Sequence, residues 1–294
     1  MIRLFKAELY KLFKNRSFKV VCIIAAILSI LMLAMSVSLS EDLAKSSMKN
    51  LSEKEITEQI ENIRQEEKSD EPINPGQLGF NSSAWSDEFN PTSKEVFYSS
   101  FGSGVIEIFI AILVGALMAK EYSEGTIKNT LAYGKKREYF YFSKFLSILI
   151  GVIIVIAIQV GISTIGHTFI RGWGEEFKFV QLITILKTFL VSVISYSAVV
   201  GIIMLVSTIL KSNGAVIGVS VGIFILLPTI ASFFYGSYTW FDRIYELTPF
   251  YNSAVAISIN ATNSQTIKCI VISLVSTIIS LILGTYMLKK QDIK

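Results

Sequence analysis

The chain has 294 residues, 52% of them hydrophobic and 17% charged, with a net charge of +4. A soluble fold of this size carries about 25% charged residues. This composition, with a mean hydropathy of +0.55, therefore excludes an ordinary globular domain and points to an all-α integral membrane protein. Two cysteines and a single histidine are too few for a disulfide scaffold, a Cys-rich metal site or His-based catalysis.

Residues 1–17 predict an amphipathic helix. Ile2, Phe5, Leu9, Leu12 and Phe13 share one face, and Arg3, Lys6, Lys11 and Lys14 lie on the other. Leu4 breaks the pattern. Such a helix lies in the membrane interface with its lysines among anionic head groups, or merely orients the first span. That span is Phe18–Leu39, a retained signal anchor rather than a cleaved signal peptide. Residues 40–100 form an acidic segment. Within it Ser52-Glu53-Lys54-Glu55 reads as a capping box opening a helix to about residue 67. Thr92-Ser93-Lys94-Glu95 is a second box that starts the helix leading to the next span. The segment either attracts cationic ligands or is a solvated loop.

The second span is Phe101–Ala119, and residues 120–141 form the loop after it. Gly125 is placed to end the span and Thr126 to cap a short helix through about Tyr133. Gly134 then ends that helix before Lys135, Lys136 and Arg137. A short helix between glycines can move as a rigid knob; the alternative is a plain basic loop. The third span is Phe142–Ile165, followed by a loop over 166–182 in which His167 is an ordinary interfacial side chain. Ile183–Leu210 and Ala215–Phe234 are the fourth and fifth spans, joined by a tight turn at Asn213-Gly214. Residues 235–266 are aromatic-rich, with one or two short surface or re-entrant helices expected. Ile267–Leu288 is the sixth span, and 289–294 is the tail.

Placing the N-terminus in the cytoplasm gives the inner segments 16 basic and five acidic residues and the outer segments nine basic and 17 acidic ones. The inside is then +11 and the outside −8, as the positive-inside rule requires for six spans with both termini cytoplasmic. Cys22 and Cys269 fall near opposite faces. Glu107 and Lys187 fall within spans, where ionisable groups are functional candidates. Their depths let them pair, or let Glu107 face a water-filled vestibule; alternatively Lys187 snorkels outward and Glu107 is protonated. Gly214, Gly218 and Gly222 form a smooth helix-packing stripe, within the subunit or towards another.

Several segments together resemble the permease subunits of ABC-2 type exporters. Lys6-Ala7-Glu8-Leu9-Tyr10-Lys11-Leu12 resembles the family's N-terminal interfacial helix, and Glu121-Tyr122-Ser123-Glu124-Gly125-Thr126-Ile127-Lys128 its E-x-x-x-G-T-hydrophobic signature after span two. Leu247-Thr248-Pro249-Phe250 before span six and the six-span layout complete the likeness, which is nearest in flavour to bacitracin-resistance and lantibiotic-immunity permeases. The resemblance implies a coupling helix in residues 120–137 that docks into a separate cytoplasmic ATPase, present in two copies, beside a second permease of the same or a homologous kind. Glu121, Gly125 and Thr126 match the signature by position; Lys128, Leu131 and Arg137 are added here as expected surface contacts. The chain carries no Gly-x-x-x-x-Gly-Lys-[Ser/Thr] loop, so no ATP site, cofactor, metal site or catalytic residue is assigned to it. ATP and Mg are expected on the partner, and anionic lipids but no nucleic acid among the ligands. The function expected is export of amphipathic or cationic antimicrobial peptides from a bacterial plasma membrane. An ion-coupled secondary transporter is the alternative, disfavoured by having one clear intramembrane acid and no evident repeat; a third is a membrane sensor or scaffold.

Overall fold

A computed structural model describes residues 2–38, 54–55, 85, 87, 89–102, 104–128 and 136–291. The helix expected from residue 52, along with Leu131 and Gly134, lies outside them apart from Lys54 and Glu55, which are helical. In chain order the helices are α1 (Ile2–Lys14), α2 (Arg16–Ser38), α3 (Ser93–Ser99) and α4 (Val105–Val114). A π-helical turn (Gly115–Ala119) and α5 (Lys120–Ser123) follow directly. Then come α6 (Arg137–Arg171), α7 (Phe179–Leu210), α8 (Asn213–Phe234), α9 (Thr239–Tyr245), α10 (Pro249–Ala256) and α11 (Asn263–Lys290).

Among the described residues five helices, α2, α6, α7, α8 and α11, are long and apolar enough to cross a membrane. Each begins two or more residues before the expected boundary. α6 is the clearest case, adding five residues before Phe142 and six after Ile165. Apolarity marks the hydrocarbon, while the backbone ladder continues through polar turns as long as its groups stay satisfied.

The expected second span departs most. Gly102 and Gly104 take positive φ of 44° and 82°, so Phe101 is outside the helix and α4 begins only at Val105. After ten residues the rod passes into the π turn, where Lys120 N–H bonds Gly115 C=O. A π turn inserts extra rotation, so the face that α5 presents is displaced from the one α4's spacing sets. This broken rod is closely enclosed among the described residues. Ile106, Ile110, Leu113, Val114 and Met118 are fully buried among α7, α8, α2 and α6. At Gly115 a Cβ would stand 2.6 Å from Asn213 Oδ1 and 2.8 Å from Ile217 Cγ1; only glycine lets the start of α8 come so close.

Two packings frame this rod: α7 lies along α11, and α2 along α6. Ser29 Oγ shares its one proton between Ala25 C=O at 2.7 Å and Gln159 C=O at 2.9 Å, and Gln159 Nε2 donates to Ser100 C=O at 2.9 Å, tying α2, α6 and the end of α3 together. At the end remote from α1, Thr92 caps α3 through a full capping box. His167 is fully enclosed there rather than lying at an interface. Its Nδ1 is 3.0 Å from Ser93 Oγ. Ser93 spends its one proton on Gly172 C=O at 2.5 Å, so the imidazole must donate from Nδ1. Both cysteines are free thiols.

Candidate functional site

α1 packs along the first half of α6, but not on the face that the apolar residues suggest. Its buried residues are Leu4, Glu8 and Leu12, an i, i+4, i+8 stripe. Leu12 reaches the open side of Gly151, where a Cβ would lie 3.0 Å from Leu12 Cδ1. Ile2 and Phe13 are exposed. Leu4, which breaks the apolar face, is thus buried while Ile2 and Phe13 of that face stay exposed, because α1 meets a neighbouring helix along a narrow seam and leaves its wider apolar face outside.

The acid in that seam is not left bare. Lys144, one turn along from Tyr141 in α6, ion-pairs with Glu8 Oε2 and stands 2.9 Å from Glu121 Oε1. Lys11 Nζ lies 2.8 Å from Glu8 Oε1 and 2.8 Å from Glu121 Oε1. Two carboxylates and two ammonium groups thus alternate around a closed ring. Lys144 is 1% exposed and Glu8 2%, Glu121 15% and Lys11 41%. A lone buried charge costs several kcal/mol, and here each charge faces two of opposite sign. Burial raises the Glu121 pKa, but the Lys144 and Lys11 ammoniums outweigh it and hold the carboxyl below the usual carboxylate range. Burial lowers that of Lys11, and Glu121 and Glu8 more than restore it, leaving it raised. The ring joins three elements remote in sequence: α1, the end of the broken rod, and α6.

Beyond Glu121 the chain turns at once. Glu124 N–H bonds Lys120 C=O at 2.9 Å, closing the last turn, and Gly125 takes a φ of 67°. A Cβ there would meet nothing nearer than Lys128 Cε at 3.9 Å, so the backbone conformation, not crowding, calls for glycine. Residues 126–128 are again helical. Thr126 and Lys128 are exposed, while Ile127 is buried and pins the segment to the core. Thr126 Oγ1 reaches back to Glu121 C=O at 3.5 Å.

Arg137 is not a free surface contact. Its Nη1 donates to the carbonyls of Leu288 (2.6 Å), Lys289 (3.0 Å) and Gln291 (2.8 Å). It caps the C-terminus of α11, where orphan carbonyls and the helix dipole favour a cation. Gln291 Nε2 donates to Thr208 C=O at 2.9 Å, drawing in α7.

The intramembrane pair does not form. Lys187 Nζ bonds Asn263 Oδ1 at 2.8 Å at the start of α11, an exposed position that its long stem can reach. Glu107 is buried in the first turn of α4, and its Oε2 has no hydrogen-bond partner among the described residues. A Cβ at Gly214, Gly218 or Gly222 would meet nothing within 4 Å, so the stripe packs against no described part of this chain.

Glu8 and Lys144 carry half of the ring, yet in the sequence Lys144 counts simply as an inner-face charge and Glu8 only as part of the segment that resembles the family's N-terminal helix, with no role of its own. The available signal is positional: Glu8 sits four residues from both Leu4 and Leu12, an acid in the middle of an i, i+4 apolar stripe.

Comparison with curated proteins returns no match. The model of the family described as ABC-2 family transporter protein matches residues 2–293, which takes in α1, the ring and every helix described above. The chain accordingly belongs to the ABC-2 transporter family: it is a multi-pass membrane permease subunit of an ABC transporter.

Proposed function

We propose that the protein is the membrane half of an ATP-driven exporter that expels amphipathic or cationic antimicrobial peptides and so confers immunity or resistance. Both termini lie in the cytoplasm, as the charge asymmetry requires. Two copies of a separate ATPase, which hold the ATP and Mg, dock on the segment running from Glu121 through Gly125, Thr126, Lys128 and Leu131. A second permease of the same or a homologous kind completes the transporter. α1 rests among anionic lipids, which its exposed Arg3, Lys6 and Lys14 suit. The peptide class follows from the likeness to bacitracin-resistance and lantibiotic-immunity permeases and from the acidic outer segments.

The observation that carries this reading is the buried ring. The family's signature acid, Glu121, is held by Lys11 of α1 and Lys144 of α6. A push on the segment after Glu121 therefore reaches the interfacial helix and a membrane-crossing helix together, through rigid ion pairs rather than through a slack loop. The glycine at 125 allows the exposed knob beyond it to turn while Glu121 stays fixed. ATP closure in the partner would rock α1 and α6 as one body and open a path outward.

Replacing the exposed Thr126 by Trp and Lys128 by Glu tests the docking surface. Both variants are expected to reduce co-purification of the partner ABC ATPase while the amount of permease in the membrane stays unchanged. Full retention of the ATPase in both would refute docking at this segment.

A further inference from the structure

At the end of the molecule remote from the charge ring, a pocket of about 240 Å³ opens between α3, the turn after α6 and the start of α7. Its floor is aromatic and aliphatic: Phe97, Tyr98, Trp173 and Ile185. Its rim carries both signs of charge, with Lys94 Nζ 3.0 Å from Glu175 Oε1. Trp173 lines the pocket and is 8% exposed. Its indole Nε1 is buried and has no acceptor among the described residues. A buried donor without an acceptor is uncommon and costly, and it marks a place where an outside oxygen would bind.

The volume is below the usual range of about 300–1,000 Å³ for pockets that enclose a whole small molecule. It suits a head group rather than an entire amphiphile. The remainder has somewhere to go: Val180, which lines the pocket from α7, is exposed at the start of a membrane-crossing helix.

We infer that this pocket is a binding site for the zwitterionic head group of an amphiphile. Its anionic oxygens meet Lys94 and the Trp173 N–H, its cation meets Glu175 and the aromatic faces, and its tail lies along α7. The Lys94–Glu175 pair opens to admit the two charges. Because both residues are more than a third exposed (39% and 46%), that exchange costs little. The site stands independently of the coupling role proposed for the ring. The ligand chemistry has two sources, a lipid of the bilayer or an amphiphile arriving from solution.

The full chain carrying Trp85→Phe and Trp240→Phe, so that Trp173 is the sole indole emitter, is placed in nanodiscs of phosphatidylglycerol. Phosphatidylcholine with a nitroxide on its choline is then titrated in. The expected result is quenching that saturates, against the merely proportional quenching given by phosphatidylglycerol labelled at the same depth. The saturating component is lost in Lys94→Met/Glu175→Gln and, separately, in Thr184→Leu, which fills the pocket without touching the ion pair. Reversal by dihexanoylphosphatidylcholine added from solution identifies a site open to passing amphiphiles, and failure to reverse identifies a resident lipid; either supports the assignment. Equal, unsaturating quenching by both lipids, or saturation that survives both variants, overturns it.

Discussion

Lys144→Met takes the enclosed cation out of the charge ring and leaves Glu8, 2% exposed, facing Glu121 across the space. Removing one member of a buried ion pair costs about 3–5 kcal/mol, because the remaining charge is left uncompensated. Lys11 still touches both carboxylates, but it is 41% exposed and its contribution is screened, so the expected cost sits near the lower end, about 3 kcal/mol. At about 1.4 kcal/mol per factor of ten, that raises the population of detached α1 about a hundredfold. Leu12 is fully buried in the α1–α6 seam, and a cysteine there, in a Cys22→Ser/Cys269→Ser chain, reports the opening. Its alkylation rate under native conditions follows the open fraction. The rate is expected to rise about a hundredfold on Lys144→Met and to fall back most of the way when Glu8→Gln is added, since the stranded charge is then gone. Lys120→Met, which loses only an exposed pair 3.6 Å from Glu124, serves as the control and is expected to change the rate less than about threefold. If Lys144→Met behaves like Lys120→Met, or if adding Glu8→Gln makes matters worse, the ring does not hold α1 in place.

Three further outcomes follow from the same structure. Gly284→Ala is expected to lower stability by about 1–3 kcal/mol through overpacking, because the new Cβ would meet the Tyr141 hydroxyl and ring, with Cε1 at 3.0 Å; Tyr141→Phe in the same chain removes one of the clashing atoms and recovers part of the loss in thermal midpoint. Gly218→Ala, with nothing within 4 Å of the added carbon, is expected to leave the isolated subunit within about 0.5 kcal/mol of the original, and a larger loss seen only in the assembled transporter locates another chain's helix there. The pH dependence of α1 attachment has two edges. Glu121 titrates below its ordinary value of 4.5, so its contribution is present above pH 4.5 and is lost as pH falls through the depressed folded value. Lys11 titrates above its ordinary 10.5, so its contribution is present below 10.5 and is lost as pH rises through the raised folded value. The thermal midpoint is therefore expected to be level between these limits in the ring's contribution, and a fall centred near neutrality on replacing either residue would contradict the assignment.

Charge-free apolar runs are long enough to reveal themselves, and five of them are long helices that start two to five residues early, since hydropathy reports the hydrocarbon rather than the backbone ladder. The helix of the second span starts later than its apolar run for a local reason visible at Gly102 and Gly104, whose left-handed φ values keep Phe101 out of the helix. The π turn that follows leaves no sequence signal, because a single shifted hydrogen-bond register does not alter composition. Glu121 and Gly125 were legible through a signature shared with known permeases. Glu8 and Lys144 were not, since a topology argument counts charges by side of the membrane and is blind to which of them meet. Arg137 was misplaced for the same reason: a basic residue in a basic loop looks solvent-facing until the end of α11 arrives beside it with three unsatisfied carbonyls.

Whether the ring carries force from the ATPase to the membrane helices is read out by Glu8→Gln, because Glu8 lies in α1, outside the docking segment. The measurement is ATP-dependent uptake of a lantibiotic into inside-out vesicles holding the permease and its ATPase, scored per ATP hydrolysed. Glu8→Gln is expected to leave the ATPase bound and hydrolysing while the peptide moved per ATP falls sharply. Peptide moved per ATP equal to that of the unaltered protein, with α1 shown by Leu12→Cys labelling to be loosened, would contradict it.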